Sequence, residues 1–155
     1  MRKARGKQSS CSRSCLDVAY GLLARREHSR KELHWKLQQR ENCADTDIDA
    51  LLDALEADNL LSDERYAEAV VHAGLQRGHG RLKIRNKLRE TGVSGLLVER
   101  YLDQADINWY EQIHQVRLKK VGEHLPVEYA ARAKLSRFLA SRGFETELIR
   151  EELDL

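Results

Sequence analysis

Apolar residues recur at intervals of three and four along nearly the whole chain, and the pattern itself repeats. Leu33 and Leu37, Ile84 and Leu88, and Leu135 and Leu139 are pairs one helical turn apart, and successive pairs lie 51 residues apart. That spacing places apolar side chains on one face of a helix. Each pair is flanked by two further stripes. Leu16, Ala19, Tyr20 and Leu23 precede the first pair, and Ile48, Leu51, Leu52 and Leu55 follow it. Tyr66, Ala67, Val70 and Val71 precede the second, and Leu97, Val98, Tyr101 and Leu102 follow. Trp109, Ile113, Val116 and Leu118 precede the third, whose own helix also carries Tyr129 and Phe138; Ile149 and Leu153 follow. The pattern predicts an all-α chain of three tandem three-helix repeats in an elongated, curved arrangement, each burying its stripe with its neighbours' help.

Local signals set the boundaries. Ser29-Arg30-Lys31-Glu32 is a capping box for the first middle helix, and Thr46-Asp47-Ile48-Asp49 is a second box. Ser62 or Asp63, and later Ser94, are expected caps, while Gly92 and Gly143, again 51 apart, are expected helix stops. The repeats are therefore placed at 14–61, 62–106 and 107–155, after a disordered basic tail at 1–13. The last repeat has a longer link, through Gly122 and Pro126, between its first two helices. Trp35, Tyr66, Tyr101, Trp109 and Phe138 fall on or beside the stripes and read as core rather than as platforms for stacking bases.

Charge alters this picture through its placement. Charged residues make up 34% and aromatics 6% of the chain, which suits solvated helices better than a β-sandwich. Net charge is only +2, yet from Glu41 to Glu68 ten acidic residues stand against Arg65 alone, and the chain turns basic from Arg77 to Arg89. Such alternation fits a partner presenting both signs, such as protein coated on nucleic acid, better than bare DNA. On the middle helix, Arg81, Arg85 and Arg89 form a row on one side of the Ile84/Leu88 stripe, and Lys83 and Lys87 lie on the other. Arg26-Glu27-His28-Ser29-Arg30 aligns with Arg77-Gly78-His79-Gly80-Arg81 at the same offset of 51.

Reaction machinery is not expected. The chain has no phosphate-binding loop of the Gly-x-x-x-x-Gly-Lys type and no His-Glu-x-x-His pair, and its six histidines are scattered. No serine or cysteine sits in a nucleophile elbow. The reading is therefore of a protein that is not an enzyme, with no catalytic residue, metal or cofactor. Cys11, Cys15 and Cys43 are odd in number and lack zinc-like pairing, so reduced thiols in a cytoplasmic protein are expected. No apolar run approaches the roughly 18 residues of a membrane span, and no membrane is expected as partner.

Several phrases, in order and spacing, resemble the RecX family, bacterial regulators of the RecA recombinase. They are Leu22-Leu23-Ala24-Arg25-Arg26-Glu27-His28-Ser29, then Leu60-Leu61-Ser62-Asp63-Glu64-Arg65-Tyr66-Ala67, then Asp106-Ile107-Asn108-Trp109. The last is Lys134-Leu135-Ser136-Arg137-Phe138-Leu139-Ala140-Ser141-Arg142-Gly143-Phe144. The likeness runs from about Leu16 to the C-terminus. It departs at Asp58-Asn59-Leu60, where the family usually has a glycine helix stop; asparagine can take the same left-handed conformation.

The resemblance implies three tandem three-helix repeats and a non-enzymatic regulator. Such proteins bind RecA filaments on single-stranded DNA within the helical groove and suppress ATP hydrolysis, strand exchange and co-protease activity, so modulating recombination, repair and the SOS response. The chain is expected to act as a monomer and to meet single-stranded DNA directly or through RecA. Candidate contacts are Arg25, Arg26, Arg30, Lys31, Arg77, Arg81, Lys83, Arg85, Lys87, Arg89, Lys119, Lys120, Arg137 and Arg142. Reversing Arg81, Arg85 and Arg89 to glutamate is expected to abolish inhibition while leaving the fold intact. The competing readings are a stand-alone helical nucleic-acid-binding module and a helical scaffold for another protein's peptide.

Overall fold

The computed structural model describes residues 13–104 and 106–155; apart from Arg13, the expected basic tail lies outside them. The described residues form nine α-helices and a short 3-10 turn, with no strand. They fall into two compact units, the first ending at Leu61 and the second running from Ser62 to Leu155.

The first unit contains α1 (Cys15–Arg25), α2 (Arg30–Gln38), the 3-10 turn (Glu41–Cys43) and α3 (Ile48–Ala57). Ser14 starts α1 with a reciprocal box, its hydroxyl accepting from the Asp17 amide at 3.2 Å while the Asp17 carboxylate accepts from the Ser14 amide at 3.1 Å. Ser29 starts α2 as expected, accepting from the Glu32 amide at 3.1 Å. At α3 the cap is Asp47, accepting from the Ala50 amide at 3.1 Å, not Thr46. A carboxylate facing the positive end of the helix dipole is the better acceptor of the two. Asn59, just beyond the end of α3, takes the left-handed conformation, with φ of 57°.

The core of this unit joins Ala19, Leu33, Leu37, Leu52, Leu55 and Leu61. It also contains a disulfide between Cys15 and Cys43, whose Cα atoms are 4.9 Å apart and which are separated by 28 residues in sequence. Reduced thiols were expected, and for these two residues that expectation is overturned; Cys11 lies outside the described residues. The pairing depends on α2 folding back, which brings the 3-10 turn to the start of α1, and sequence spacing does not show it. Closing a loop of this length restricts the unfolded chain by about 3–4 kcal/mol in the chain-entropy treatment. Trp35 also departs from expectation: it is 61% exposed. Two residues beyond Leu33 it points about 200° away around the helix, off the buried face.

The second unit contains α4 (Asp63–Gln76), α5 (Arg81–Glu90), α6 (Gly95–Leu102), α7 (Trp109–Val121), α8 (Tyr129–Ser141) and α9 (Thr146–Leu153). Ser62 and Ser94 cap α4 and α6, and Gly92 ends α5 with φ of 78°. One core gathers Tyr66, Ala67, Val71, Ile84, Leu88, Val98 and Leu102, with Tyr101 and Trp109 packed partly buried against it. The other gathers Ile113, Leu135, Leu139, Phe144, Ile149 and Leu153, with Phe138 packed against it.

Main-chain hydrogen bonds join these two three-helix groups. The Gly80 amide donates to the Arg142 carbonyl at 2.8 Å and the Leu82 amide to the Gly143 carbonyl at 2.9 Å. The first amides of a helix and the carbonyls just beyond another's end lack intrahelical partners, and here each satisfies the other. The approach is close enough that a Cβ on Gly80 would collide with the Gly143 carbonyl, and one on Gly143 with the backbone and Cβ of Lys83. Two side chains reinforce the joint: Gln112 Nε2 donates to the Leu75 carbonyl at 2.9 Å, and Arg142 Nη1 to the Arg77 carbonyl at 3.0 Å.

One buried charge was not anticipated. Arg117, only 6% exposed, lies one turn after Ile113 on the inner face of α7. Its Nε donates to Glu152 at 2.7 Å and its Nη1 to the Gly122 carbonyl at 2.7 Å, so the cation is paired and also caps the end of its helix.

Candidate cationic interface

In the first two three-helix groups the first residue of the middle helix is an arginine, and both arginines turn onto the third helix of their group. Arg30 meets Asp53 at 2.8 Å, Glu56 at 3.2 Å and Asp49 at 3.5 Å. Arg81 meets Glu99 at 3.0 Å and also Asp103. A cation beside the positive end of a helix dipole is unfavourable, and these carboxylates offset it. The equivalent residue of the last repeat is Arg132, where the position matching Glu99 is Arg150. Arg132 turns to main-chain oxygens instead, donating to Pro126 at 2.8 Å and Leu153 at 3.4 Å.

The whole arginine row of α5 is gathered by one acid. Arg85 reaches the same Glu99 oxygen as Arg81, at 3.0 Å, and Arg89 lies 3.7 Å from the other. Burial would raise the Glu99 carboxyl, but Arg81 and Arg85 outweigh it and hold the pKa below the usual range. Burial likewise would lower Arg81, and Glu99 with Asp103 reverse that, keeping it charged. The row is therefore largely neutralised within the unit.

The lysine side of α5 differs. Lys83 and Lys87 are exposed, as are Arg77, Lys119 and Lys120, while Arg142 is half-buried; among the described residues none of the six has an ion-pair partner. Arg77, Lys119, Lys120 and Arg142 line a depression of about 260 Å3, and Arg77, Lys83 and Lys87 line an adjoining one of about 190 Å3 that includes His79. His79 is held below its usual pKa, first by burial and then by the charges of Lys83, Arg142 and Arg77. Arg137 is exposed on α8.

In the first unit, Arg25 and Lys31 are exposed on α1 and α2, while Arg26 forks onto Glu32. Burial pushes the Glu32 carboxyl up, but Arg26, Lys36 and His28 overcome this and hold it at about 2. His28 is buried; its Nδ1 lies 3.0 Å from the Arg26 carbonyl and its Nε2 3.0 Å from Lys36 Nζ. A neutral ring donating from Nδ1 and accepting at Nε2 satisfies both contacts. Its pKa is lowered chiefly by burial, which the Arg26 carbonyl opposes and the Arg26 and Lys36 charges assist.

A pH dependence follows. Below about pH 6.5 the unfolded chain takes up a proton that folded His28 resists, so stability falls with pH from there downward. The Glu32 pairing is lost in a lower window, as pH falls from about 4.5 toward about 2. Amide exchange in α2, corrected for intrinsic rates, is expected to quicken between about pH 7 and 5.5, and His28→Asn to remove that change. Equal protection at both pH values in the native chain would contradict it.

Of the fourteen candidate cations, Arg26, Arg30, Arg81, Arg85 and Arg89 thus have acidic partners of their own. Glu99, the organiser of the α5 row, was missed. Its signal lay in the repeat, since Asp49 and Asp53 correspond to Glu99 and Asp103 at an offset of 50.

Comparison with known proteins follows the same three divisions. Profiles of the first, second and third three-helix domains of RecX match residues 15–55, 62–102 and 106–153. Regulatory protein RecX of Pseudomonas syringae pv. tomato is 40% identical over 132 residues, covering 85% of this chain and 84% of the relative. That of Halorhodospira halophila is 33% identical over 141 residues, covering 91% and 87%. The crystal structure of RecX from Lactobacillus salivarius superposes with a TM-score of 0.69 at 22% identity, covering 90% of this chain and 94% of that one, a likeness of fold.

Proposed function

The chain belongs to the RecX family of regulatory proteins, and on that footing we propose that it regulates the RecA recombinase by binding rather than by chemistry. It lies in the helical groove of RecA filaments on single-stranded DNA and inhibits ATP hydrolysis, strand exchange and co-protease activity, restraining recombination, repair and the SOS response. It acts in the cytoplasm as a monomer. It meets the DNA directly or through RecA.

The observation that supports this reading is the division of charge on α5. Its arginines are taken up by Glu99, whereas Lys83 and Lys87, with Arg77, Lys119, Lys120 and Arg142, present cations that have no ion-pair partner among the described residues. Unpaired cations lining open depressions are available to an external polyanion without first breaking an internal pair. Several modest contacts in one chain also raise the effective concentration of each next contact. Among the described residues no helix is long and apolar enough to cross a membrane, and no three His, Cys, Asp or Glu side chains are grouped to hold a metal.

The test is RecA-dependent ATP hydrolysis on single-stranded DNA with this protein at well below one copy per RecA. Inhibition is expected. Unaltered hydrolysis would reject the reading.

A further inference from the structure

Where the last two three-helix groups meet, the second unit holds a pocket of about 170 Å3 whose lining is both aromatic and acidic. Trp109 and Tyr110 reach it from the start of α7, Phe144 from the turn after α8, and Glu147, Leu148 and Glu151 from α9. Phe144 is buried and Trp109 half-buried, whereas the Tyr110 ring is 61% exposed. The one cation in the lining, Arg81, is already matched by Glu99 and Asp103. Glu147 and Glu151, and Glu145 beside them, have no ion-pair partner among the described residues. Glu147 lies in the first turn of α9, where the helix dipole favours an acid. Glu151 has no such support. It sits one turn after the like charge of Glu147 and in the last turn of α9, at the negative end of the dipole.

We propose that this pocket receives the guanidinium of an arginine from a protein partner, stacked against the Trp109 and Tyr110 rings and held by the carboxylates of Glu147 and Glu151. A guanidinium is planar and weakly hydrated, lies flat on aromatic rings and donates in a fork to carboxylates, so one group answers both halves of the lining. The more strongly hydrated ammonium of lysine answers the carboxylates alone. A phosphate would meet three unpaired carboxylates, so this part of the surface faces protein and not a nucleic-acid strand. The proposal deepens the function above, on which it rests for RecA as the partner, by naming a contact made to the protein component of the filament. A single pocket of this size holds its guest weakly and acts together with the chain's other contacts.

The test follows the two tryptophan indole N–H signals of the full chain by 1H–15N NMR, without RecA, as N-acetylarginine amide is added. The Trp109 signal is expected to shift saturably, and that of Trp35, which lies in the first unit, to stay in place. N-acetyllysine amide should act more weakly, and N-acetylcitrulline amide, of the same shape without the charge, should have no effect. A variant carrying Glu147→Gln and Glu151→Gln is expected to bind the arginine probe about threefold or more weakly. Both side chains are exposed, so its melting should match or slightly exceed the parent's. An unmoved Trp109 signal, an equal response to citrulline or lysine, or parental affinity in the double variant would overturn the pocket. Co-sedimentation with RecA filaments, run in parallel, separates this proposal from the function it rests on. The double variant is expected to pellet less completely than the parent, and equal pelleting of the two would overturn the contact. An arginine-specific Trp109 shift in a parent protein that never pellets with filaments upholds the pocket and rejects RecA as the partner.

Discussion

Gly143→Ala is expected to destabilise the second unit by about 3 kcal/mol or more and to lower its melting temperature by more than about 10 °C. Two effects add. Gly143 has φ of 91°, where an L side chain is strained. A methyl group there would also strike the main chain of Lys83, displacing the start of α5 and the hydrogen bonds that Gly80 and Leu82 make to Arg142 and Gly143. Gly95→Ala is the matched control, since a Cβ there meets nothing within 4 Å and the residue is helical. It should be neutral or slightly stabilising. Thermal unfolding followed by circular dichroism measures both, and a Gly143→Ala protein melting with the parent would show that the close approach is dispensable.

Reversing Arg81, Arg85 and Arg89 to glutamate is expected to cost about 3 kcal/mol or more, contrary to the sequence-based expectation that such a change spares the fold. In the parent, Glu99 is shared by all three arginines and Asp103 by Arg81. The reversal replaces that attraction with five carboxylates on facing helices. The network already carries unmet polar atoms, because Arg81 Nε, Arg85 Nε and Glu99 Oε1 are buried without a hydrogen bond among the described residues. It therefore has little slack for a further polar mismatch. Urea unfolding should show the loss, and adding Glu99→Arg should recover part of it by restoring opposite charges across the α5–α6 contact. A triple variant as stable as its parent would mean that the ion pairs contribute nothing. Loss of inhibition in that variant is consequently poor support for a contact surface, whereas the Lys83/Lys87 side can be changed without touching Glu99.

These cases mark where the sequence is legible. Leu33/Leu37, Ile84/Leu88 and Leu135/Leu139 announce the buried faces because helical period and burial are both local facts, and all six residues are buried. Ser29, Ser62, Ser94, Gly92 and Gly143 mark helix ends because capping acts over a few residues. The candidate interface was legible only by side-chain type. Whether Arg81 or Lys83 faces outward depends on which flank of α5 packs on α6, a tertiary fact that residue identities do not carry. Cys15–Cys43 and Arg117–Glu152 were hidden for the same reason, each joining elements at least 28 residues apart. Trp35 misled because aromatic character suggested burial at a position whose helical phase points outward.

The central claim is that this chain grips a RecA–DNA polymer, and co-sedimentation of the purified protein with RecA filaments on single-stranded DNA tests it most directly. The account predicts that the parent pellets with the filaments, and that the variant lacking Lys83, Lys87, Lys119 and Lys120 charges is left largely in the supernatant while remaining folded. Parent protein that stays in the supernatant with intact filaments would contradict it.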